Sequence, residues 1–323
     1  MTSDGNKFLN ERVWKPDLLF FRCGEFHFHS PLIRKAEPIQ WKFKQIKKTA
    51  YPITVTQCEF DGFGIKMSGF GDGVFLKNSL IQSFAEGWER LWMRYLTQSG
   101  NTLFSGLENS NGYAAGRTSK EALGCSRGEL IERALFLEAW TTRRGWRPYQ
   151  PRSIRSKILR AIIKAQGWRA RFFLFSDKNL GFVLGGLVQH KQLGAVFDAV
   201  YISDISLTSF FELKLLRSLI RCSPIKTLVA SDLDWSLPQD GIPQDHAKYY
   251  ADPGKTQAFE FLDNPKSAEG ISNLPSPSEI ISKIIVPASE FPAVAVSFHP
   301  EWPKLQWGKQ SIRGDNPWPH PLA

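Results

Sequence analysis

The sequence predicts an α+β fold built from antiparallel sheets and long amphipathic helices. Alternating residues from Ile53 to Phe60 run into Asp61-Gly62, a turn signal, and a second apolar run follows over residues 65–70. That pattern reads as a hairpin. Three long segments repeat apolar residues at helical spacing, and hairpins alternate with helices along the chain.

The elements read in order as follows. Residues 1–50 show no clean period and are taken as an N-terminal extension, with one domain over 51–323. After the hairpin, Gly69, Gly71 and Gly73 suggest a flexible loop. A helix is expected over residues 77–97, with Leu80, Phe84, Trp88, Leu91 and Tyr95 on one face. A second is expected over 119–142, striped by Leu123, Leu130 and Leu137. Strands are expected at 171–175 and 181–188, a third strong helix at 205–222, and short strands at 283–286 and 293–298. The region from Ser223 onward is rich in proline and ends in a proline-rich tail. No internal repeat is visible.

Composition narrows the class. The chain has 323 residues, 42% of them hydrophobic, enough for a sizeable core. Mean hydropathy is −0.26. No apolar run approaches the roughly 18 residues of a membrane span, and the opening Met-Thr-Ser-Asp-Gly-Asn-Lys lacks an apolar signal core. A cytoplasmic protein with no membrane partner is the expectation. Cys23, Cys58, Cys125 and Cys222 are scattered without a Cys-x-x-Cys pair, which disfavours a zinc site or disulfide framework. His27 and His29 alternate along a candidate strand with no further ligand nearby, so surface or packing roles are favoured.

Charge is unevenly placed. The formal net charge is +10, and residues 143–171 hold ten basic residues with no acid among them. Removing those ten from the 41 basic residues leaves 31, equal to the 31 acids. Ile154, Ile158, Leu159, Ile162 and Ile163 fall near helical spacing within this segment, which reads as an amphipathic helix with a basic face. A solvated face, a dock for an acidic peptide or partner protein, and a nucleic-acid or lipid surface are all compatible with it.

Two helices carry carboxylates opposite their apolar stripes. Glu86, Glu89 and Arg90 do so on the first helix. On the second, Glu121, Glu129 and Glu132 project within about 80° of one another. Like charges at this spacing repel unless a cation intervenes. Mg2+ with phosphates would resolve that repulsion; a solvated face with local ion pairs would also satisfy it. Thr118-Ser119-Lys120-Glu121 additionally fits a capping box. No Gly-x-x-x-x-Gly-Lys-Ser/Thr loop, Gly-x-Ser-x-Gly elbow or His-Glu-x-x-His helix is present.

The spacing of these residues resembles the YcaO family. Ser110-Asn111-Gly112-Tyr113-Ala114-Ala115-Gly116, then Glu121-Ala122, then Glu129-Leu130-Ile131-Glu132-Arg133 is similar to the family's central signature. Glu86-Gly87-Trp88-Glu89-Arg90, behind Gly71-Asp72-Gly73, resembles its first Glu-x-x-Glu-Arg helix. Glu212 and Arg217 resemble its later Glu…Arg helix, and Asp245-His246-Ala247-Lys248-Tyr249-Tyr250 its Asp-His-x-x-Tyr-Tyr segment. Pro317-Trp318-Pro319-His320-Pro321 resembles the tail of the azoline-forming branch. Asp72, Arg117 and Leu215 stand where relatives often have Lys, Asn and Gln.

The resemblance implies a YcaO fold around a carboxylate-rich Mg–ATP site. By matching positions, Glu86, Glu121, Glu129 and Glu132 would hold Mg. Glu89, Arg90, Asn111, Arg133 and Arg217 would contact or brace ATP. Pro317, Pro319, His320 and Pro321 would enter the active site as a stiff extended tail. The implied activity is ATP-dependent cyclodehydration of Cys, Ser or Thr in a ribosomal precursor peptide, giving thiazolines or oxazolines. Rivals are thioamide or amidine formation, a non-catalytic YcaO-like scaffold subunit, and a nucleic-acid-binding protein. Implied partners are a separate leader-peptide-binding protein resembling a ubiquitin-activating enzyme, a flavin dehydrogenase acting on the rings, and a second copy in a homodimer.

Overall fold

A computed structural model describes residues 23–28, 37–48, 53–99, 112–227, 243–263, 274–289, 291–312 and 316–322. The chain divides into two compact units, Met1–Leu130 with Glu279–His299, and Ile131–Ser278 with Pro300–Ala323.

The first unit holds two antiparallel sheets. One is a four-strand meander: β1 (Cys23–Phe28), β2 (Glu37–Lys48), β3 (Thr54–Gly62) and β4 (Ile65–Gly73). The first two lie where no period was expected. The period is nevertheless there in β2: Ile39 and Trp41 are buried, while Gln40, Lys42 and Lys44 between and beyond them are exposed. Lys42 and Lys44 pair across the ladder with Glu59, at 3.1 and 2.7 Å. Three residues sufficed to set the face, too few for an unaided periodicity argument.

The β3–β4 hairpin corrects the expected turn. Gly62 pairs with Ile65, so the turn is Phe63-Gly64, one step beyond Asp61-Gly62. Both turn residues have positive φ, 55° and 69°, the two-residue geometry that matches strand twist. Phe63 tolerates this because its ring packs 5.3 Å from Trp92 and 4.5 Å from Tyr95, on the helix that follows.

That helix, α1 (Leu76–Gln98), lies directly on β4 and β3. Gly69 and Gly71 are strand residues of β4 and not a flexible loop. A Cβ on Gly69 would stand 2.1 Å from the Gly87 nitrogen and 2.2 Å from the Ser83 carbonyl oxygen. One on Gly71 would stand 2.0 Å from the Ser79 carbonyl oxygen. The glycines therefore serve close approach. Small polar residues fill the seam: the Thr56 hydroxyl lies 2.8 Å from that of Ser79 and 3.0 Å from that of Ser83, and Ser79 donates to the Gly71 carbonyl at 2.9 Å. Beyond the seam, Phe84, Trp88, Leu91 and Trp92 of α1 pack with Trp41, Phe60, Phe291 and Val294. Phe291 and Val294 come from the second sheet's side of this unit, where β5 (Tyr113–Gly116) pairs with β11 (Ala293–Phe298) and β11 with β10 (Ile281–Val286).

The helix α2 (Ser119–Thr142) matches its expected span. Its residues through Leu130 belong to the first unit and those from Ile131 to the second. The second unit is organised on the antiparallel sheet β6 (Arg147–Tyr149), β7 (Trp168–Asp177), β8 (Gly181–His190) and β9 (Gly194–Ile202). β8 carries Gly185-Gly186, one glycine to each face. Beneath Gly185 stand Phe197 and Trp146; above Gly186 stand Leu215 and Leu219 of α4 (Thr208–Thr227). Phe136 of α2 joins the first face, 5.4 Å from Phe197. The short helices α3 (Ile154–Ala165) and α5 (Pro243–Tyr249) complete this unit. Among the described residues, no helix is long and apolar enough to cross a membrane.

The contrast between two glycines tests this account. Gly69→Ala should cost about 3 kcal/mol, because backbone must move to admit one methyl group. Gly64→Ala, at positive φ but with nothing within 4 Å of the added Cβ, should cost about 1 kcal/mol. Urea unfolding of both variants measures the difference; equal losses would refute the close-approach role of Gly69.

Candidate functional site

In the first unit the close seam between β4 and α1 positions two carboxylates. Glu86 accepts from the Phe70 N–H at 2.9 Å and pairs with Arg90 Nη2 at 2.6 Å. Arg90 also donates through Nη1 to the Ser68 carbonyl at 3.0 Å. One turn along, Glu89 accepts from the Ala115 N–H of β5 at 3.1 Å. Glu89 is half-buried, and loss of water pushes its carboxyl well above the usual carboxylate range. The negative charges of Glu129 and Glu86 push it further the same way, while Arg90 and the Ala115 N–H oppose them. Glu86, Glu89, Arg90 and Glu129 thus form one electrostatic group from two helices.

Glu121 has a different setting. The Thr118 hydroxyl accepts from the Glu121 N–H at 3.1 Å, closing the helix N-terminus. The Glu121 carboxylate takes the Arg117 N–H at 3.1 Å and Arg117 Nε at 3.2 Å, with 40% of its side chain exposed. Its described partners belong to a capping arrangement, as the capping-box spacing suggested. Asn111 lies outside the described residues.

In the second unit Glu132 is buried. It accepts from the Tyr201 N–H at 3.0 Å and meets Arg133 Nη1 at 3.3 Å. Burial raises its pKa; Arg133 opposes that, and Asp198 adds to it. Asp198 is a group the sequence reading did not single out. It stands on β9 and accepts from the Ser218 hydroxyl of α4 at 2.5 Å. An acid inside the apolar run Ala195-Val196-Phe197-Asp198-Ala199-Val200 was the available signal. Arg217 is half-buried on α4, next to Ser218 in sequence.

Glu212, fully buried on α4, serves the backbone. It accepts from the Tyr149 hydroxyl at 2.7 Å, the Arg152 N–H at 2.9 Å and the Ser153 N–H at 3.0 Å, at the start of α3.

The proline tail is also fastened. His246 Nδ1 donates to the His320 carbonyl at 2.6 Å, and the Tyr250 hydroxyl donates to the Pro319 carbonyl. These two residues of the Asp-His-x-x-Tyr-Tyr segment, four apart, therefore grip consecutive tail carbonyls. The His320 ring is buried, with Nε2 2.7 Å from the Gln306 carbonyl and the ring 4.9 Å from that of Trp307. It lines a cavity of about 210 Å3 with Glu138, Trp140, Lys304 and Ser311. Pro319 and Pro321 are buried and Pro317 is exposed.

Among the described residues, no three His, Cys, Asp or Glu side chains close into a metal cage. Mg2+ does not require one, since it is commonly held by one or two carboxylates together with phosphates and water. A half-buried acid pressed by two like charges, with an arginine beside them, is a donor set that suits a divalent cation and a phosphate chain.

Comparison with known proteins agrees with this arrangement. Residues 77–190, which contain Glu86 through Arg133, match the family model described as YcaO cyclodehydratase, ATP- and Mg2+-binding. That segment, about a third of the chain, is similar to the YcaO family. The fold agrees over a longer stretch. A YcaO structure from Methanopyrus kandleri bound with AMPPCP and Mg2+ superposes at a TM-score of 0.58 with 12% identity, covering 80% of this chain and 84% of that one. A chain of the E. coli microcin synthetase McbBCD complex superposes at 0.55 with 10% identity, covering 84% and 89%. A heterocyclase in complex with substrate and cofactor superposes at 0.53 with 12% identity, covering 83% of this chain and 51% of that one. No curated protein sequence matches this chain.

The raised carboxyls have a consequence for stability. A carboxyl whose folded pKa exceeds its ordinary 4.5 stabilises the fold in full below that value, and the contribution is lost as pH rises through the folded pKa. Glu89→Gln should therefore raise the melting temperature of the ligand-free protein at pH 8 by several degrees and change it little at pH 4.5. A variant melting lower than wild type at pH 8 would show that Glu89 is held as a favourable anion.

Proposed function

We propose that this protein is an ATP-dependent peptide cyclodehydratase that activates backbone amide oxygens. The observation that carries the reading is the half-buried Glu89, crowded by Glu86 and Glu129 and flanked by Arg90, inside the segment that matches the family model.

In this reading Glu86, Glu121, Glu129 and Glu132 hold Mg2+, and Glu89, Arg90, Asn111, Arg133 and Arg217 contact or brace the nucleotide. Glu121 takes part by exchanging Arg117 for the cation, which its half-exposed ion pair allows at little cost. Glu86 needs no large movement, because the Phe70 N–H fixes one oxygen while the other faces Arg90. Arg90 and Arg133 neutralise charge on phosphate oxygens; each already stands beside a carboxylate that a cation would claim. Electrostatics and positioning then supply most of the catalysis.

The substrate is a ribosomal precursor peptide. A Cys, Ser or Thr side chain adds to the preceding amide carbon and leaves a tetrahedral oxygen, a poor leaving group. Bound Mg–ATP supplies the phosphoryl group that lets this oxygen depart as phosphate, with ADP as the other product. Loss of the amide proton gives the C=N bond of the azoline. Of the tail, Pro317 is the exposed residue available to substrate, while Pro319, His320 and Pro321 hold the segment in place. A leader-peptide-binding partner resembling a ubiquitin-activating enzyme, a flavin dehydrogenase and a second copy of the chain complete the proposed system.

Titration calorimetry tests the core of this proposal. Wild type should bind ATP in the presence of Mg2+ and at least tenfold more weakly without it. Glu86→Gln combined with Glu132→Gln should lose the Mg2+-dependent part. A wild-type protein that binds no nucleotide, with or without an added partner, would favour the scaffold role over the enzyme.

A further inference from the structure

The helix α3 carries two apolar stripes on opposite sides. Ser156, Leu159 and Ile163 are buried, and α3 packs on β7. Ile154 is 73% exposed and Ile158 57% exposed, with Ala161 and Ala165 exposed in line with them. At about 100° per residue, the four exposed residues fall within about 60° of one another, opposite the buried three. The isoleucines that read in sequence as one amphipathic face are therefore split between two. Packing on a sheet uses only one such stripe.

The outer stripe has a charged border and an apolar neighbour. Arg155 lines one side and Lys157 and Lys164 the other, all exposed. Arg160, on the inward flank, is engaged with the Ala170 carbonyl at 3.2 Å and the Phe172 ring. The bonds from Arg152 and Ser153 N–H to Glu212 tie the start of α3 to the first turns of α4. There Phe210 is 71% exposed, with Leu207 and Ile205 also exposed just before it. Lys214, one turn later, is exposed too. The acids facing this surface are Glu212, which is buried and engaged, and Asp204 at its edge, which caps the turn at Ser206.

We infer that the outer face of α3, with the first turn of α4, docks an acidic amphipathic segment of a partner protein. Charge selects this occupant. Residues 143–171 hold ten basic residues and no acid, so a second copy docking through the same face would meet like charge with like. Nucleic acid would use the charges and leave Ile154, Ile158 and Phe210 exposed. The stripe narrows from isoleucine to alanine along the helix, which seats a helix closely and makes a poor wedge for lipid. A partner helix would set its apolar ridge on Ile154, Ile158 and Phe210 and its carboxylates against Arg155, Lys157 and Lys164. The inference rests on the reading of this chain as one subunit of a modification complex, but none of the residues named for this face is among those assigned to Mg–ATP.

The test uses the full chain and a fluorescein-labelled helical peptide of about 18 residues, with leucines at helical spacing and glutamates elsewhere. A scrambled peptide of equal composition, phosphatidylglycerol-rich vesicles and a DNA oligonucleotide serve as competitors. The designed peptide should bind roughly tenfold more tightly than the scrambled one. Arg155→Glu with Lys157→Glu and Lys164→Glu should abolish that preference, as should Ile154→Ser with Ile158→Ser, with melting temperature and ATP binding unchanged. Equal binding of both peptides, tighter binding of vesicles or DNA, or variants that bind as wild type would overturn the inference. Peptide discrimination without ATP binding would overturn the enzyme reading and leave this surface standing; the reverse result would remove the surface alone.

Discussion

Backbone contact between β4 and α1 is the constraint on which the first unit's chemistry depends. Gly69 and Gly71 leave no room for a side chain between strand and helix. That closeness lets one strand serve two residues of the helix: the Phe70 N–H reaches Glu86, and the Ser68 carbonyl reaches Arg90. A helix held even a methyl group further away would lose both bonds, because hydrogen bonds weaken steeply beyond about 3.2 Å. Gly87, between Glu86 and Trp88, faces the Phe60 ring at a distance that would not admit a Cβ. The glycines near the Glu-x-x-Glu-Arg turn therefore fix where its carboxylates stand.

The fold spends stability on that arrangement. Glu132 is buried and Glu89 half-buried, both with raised pKa values, and each with another acid adding to the effect of lost water. A solvated helix face with local ion pairs, the bland reading of the same residues, accounts well for Glu121 and its Arg117 partner. It does not account for Glu89, which has lost water without gaining a full set of donors. Burial of an acid beside like charges is tolerable where a cation is to be bound, since the cation reverses the sign of each interaction.

The long helices were legible in sequence, because α1 and α2 each run for over twenty residues; α1 buries one stripe, while α2 is buried almost all round from Leu130 to Trp140. The short strands were not: β5 is four residues and β6 three, and neither offers a period to read. β9 escaped because it is buried along nearly its whole length, so its residues form an apolar run and not an alternation. The carboxylates of the first unit were legible as a pair of helix faces, yet their burial and their contact with β5 depend on tertiary packing. The two stripes of α3 fell at one apparent spacing because Ile158 and Leu159 are adjacent, and only the sheet beneath decides which of them turns inward.

One physical criterion separates the motif residues that fasten from those suited to chemistry. Glu212 is as buried as any acid among the described residues, but its two oxygens accept three donors, two of them backbone N–H groups at a helix start. Such a carboxylate is consumed by the fold: removing it would orphan those donors, and no ligand could claim it without doing the same. His246 and Tyr250 are likewise spent on the Pro319 and His320 carbonyls. Glu89 has the Ala115 N–H as its backbone donor, against two neighbouring acids. Glu132 has one backbone donor and one arginine against Asp198. These two still have interaction capacity to offer, and a cation or a phosphate-bridging partner is the kind of group that would take it up. The same motif alphabet thus serves two ends, and the count of donors around each acid tells them apart.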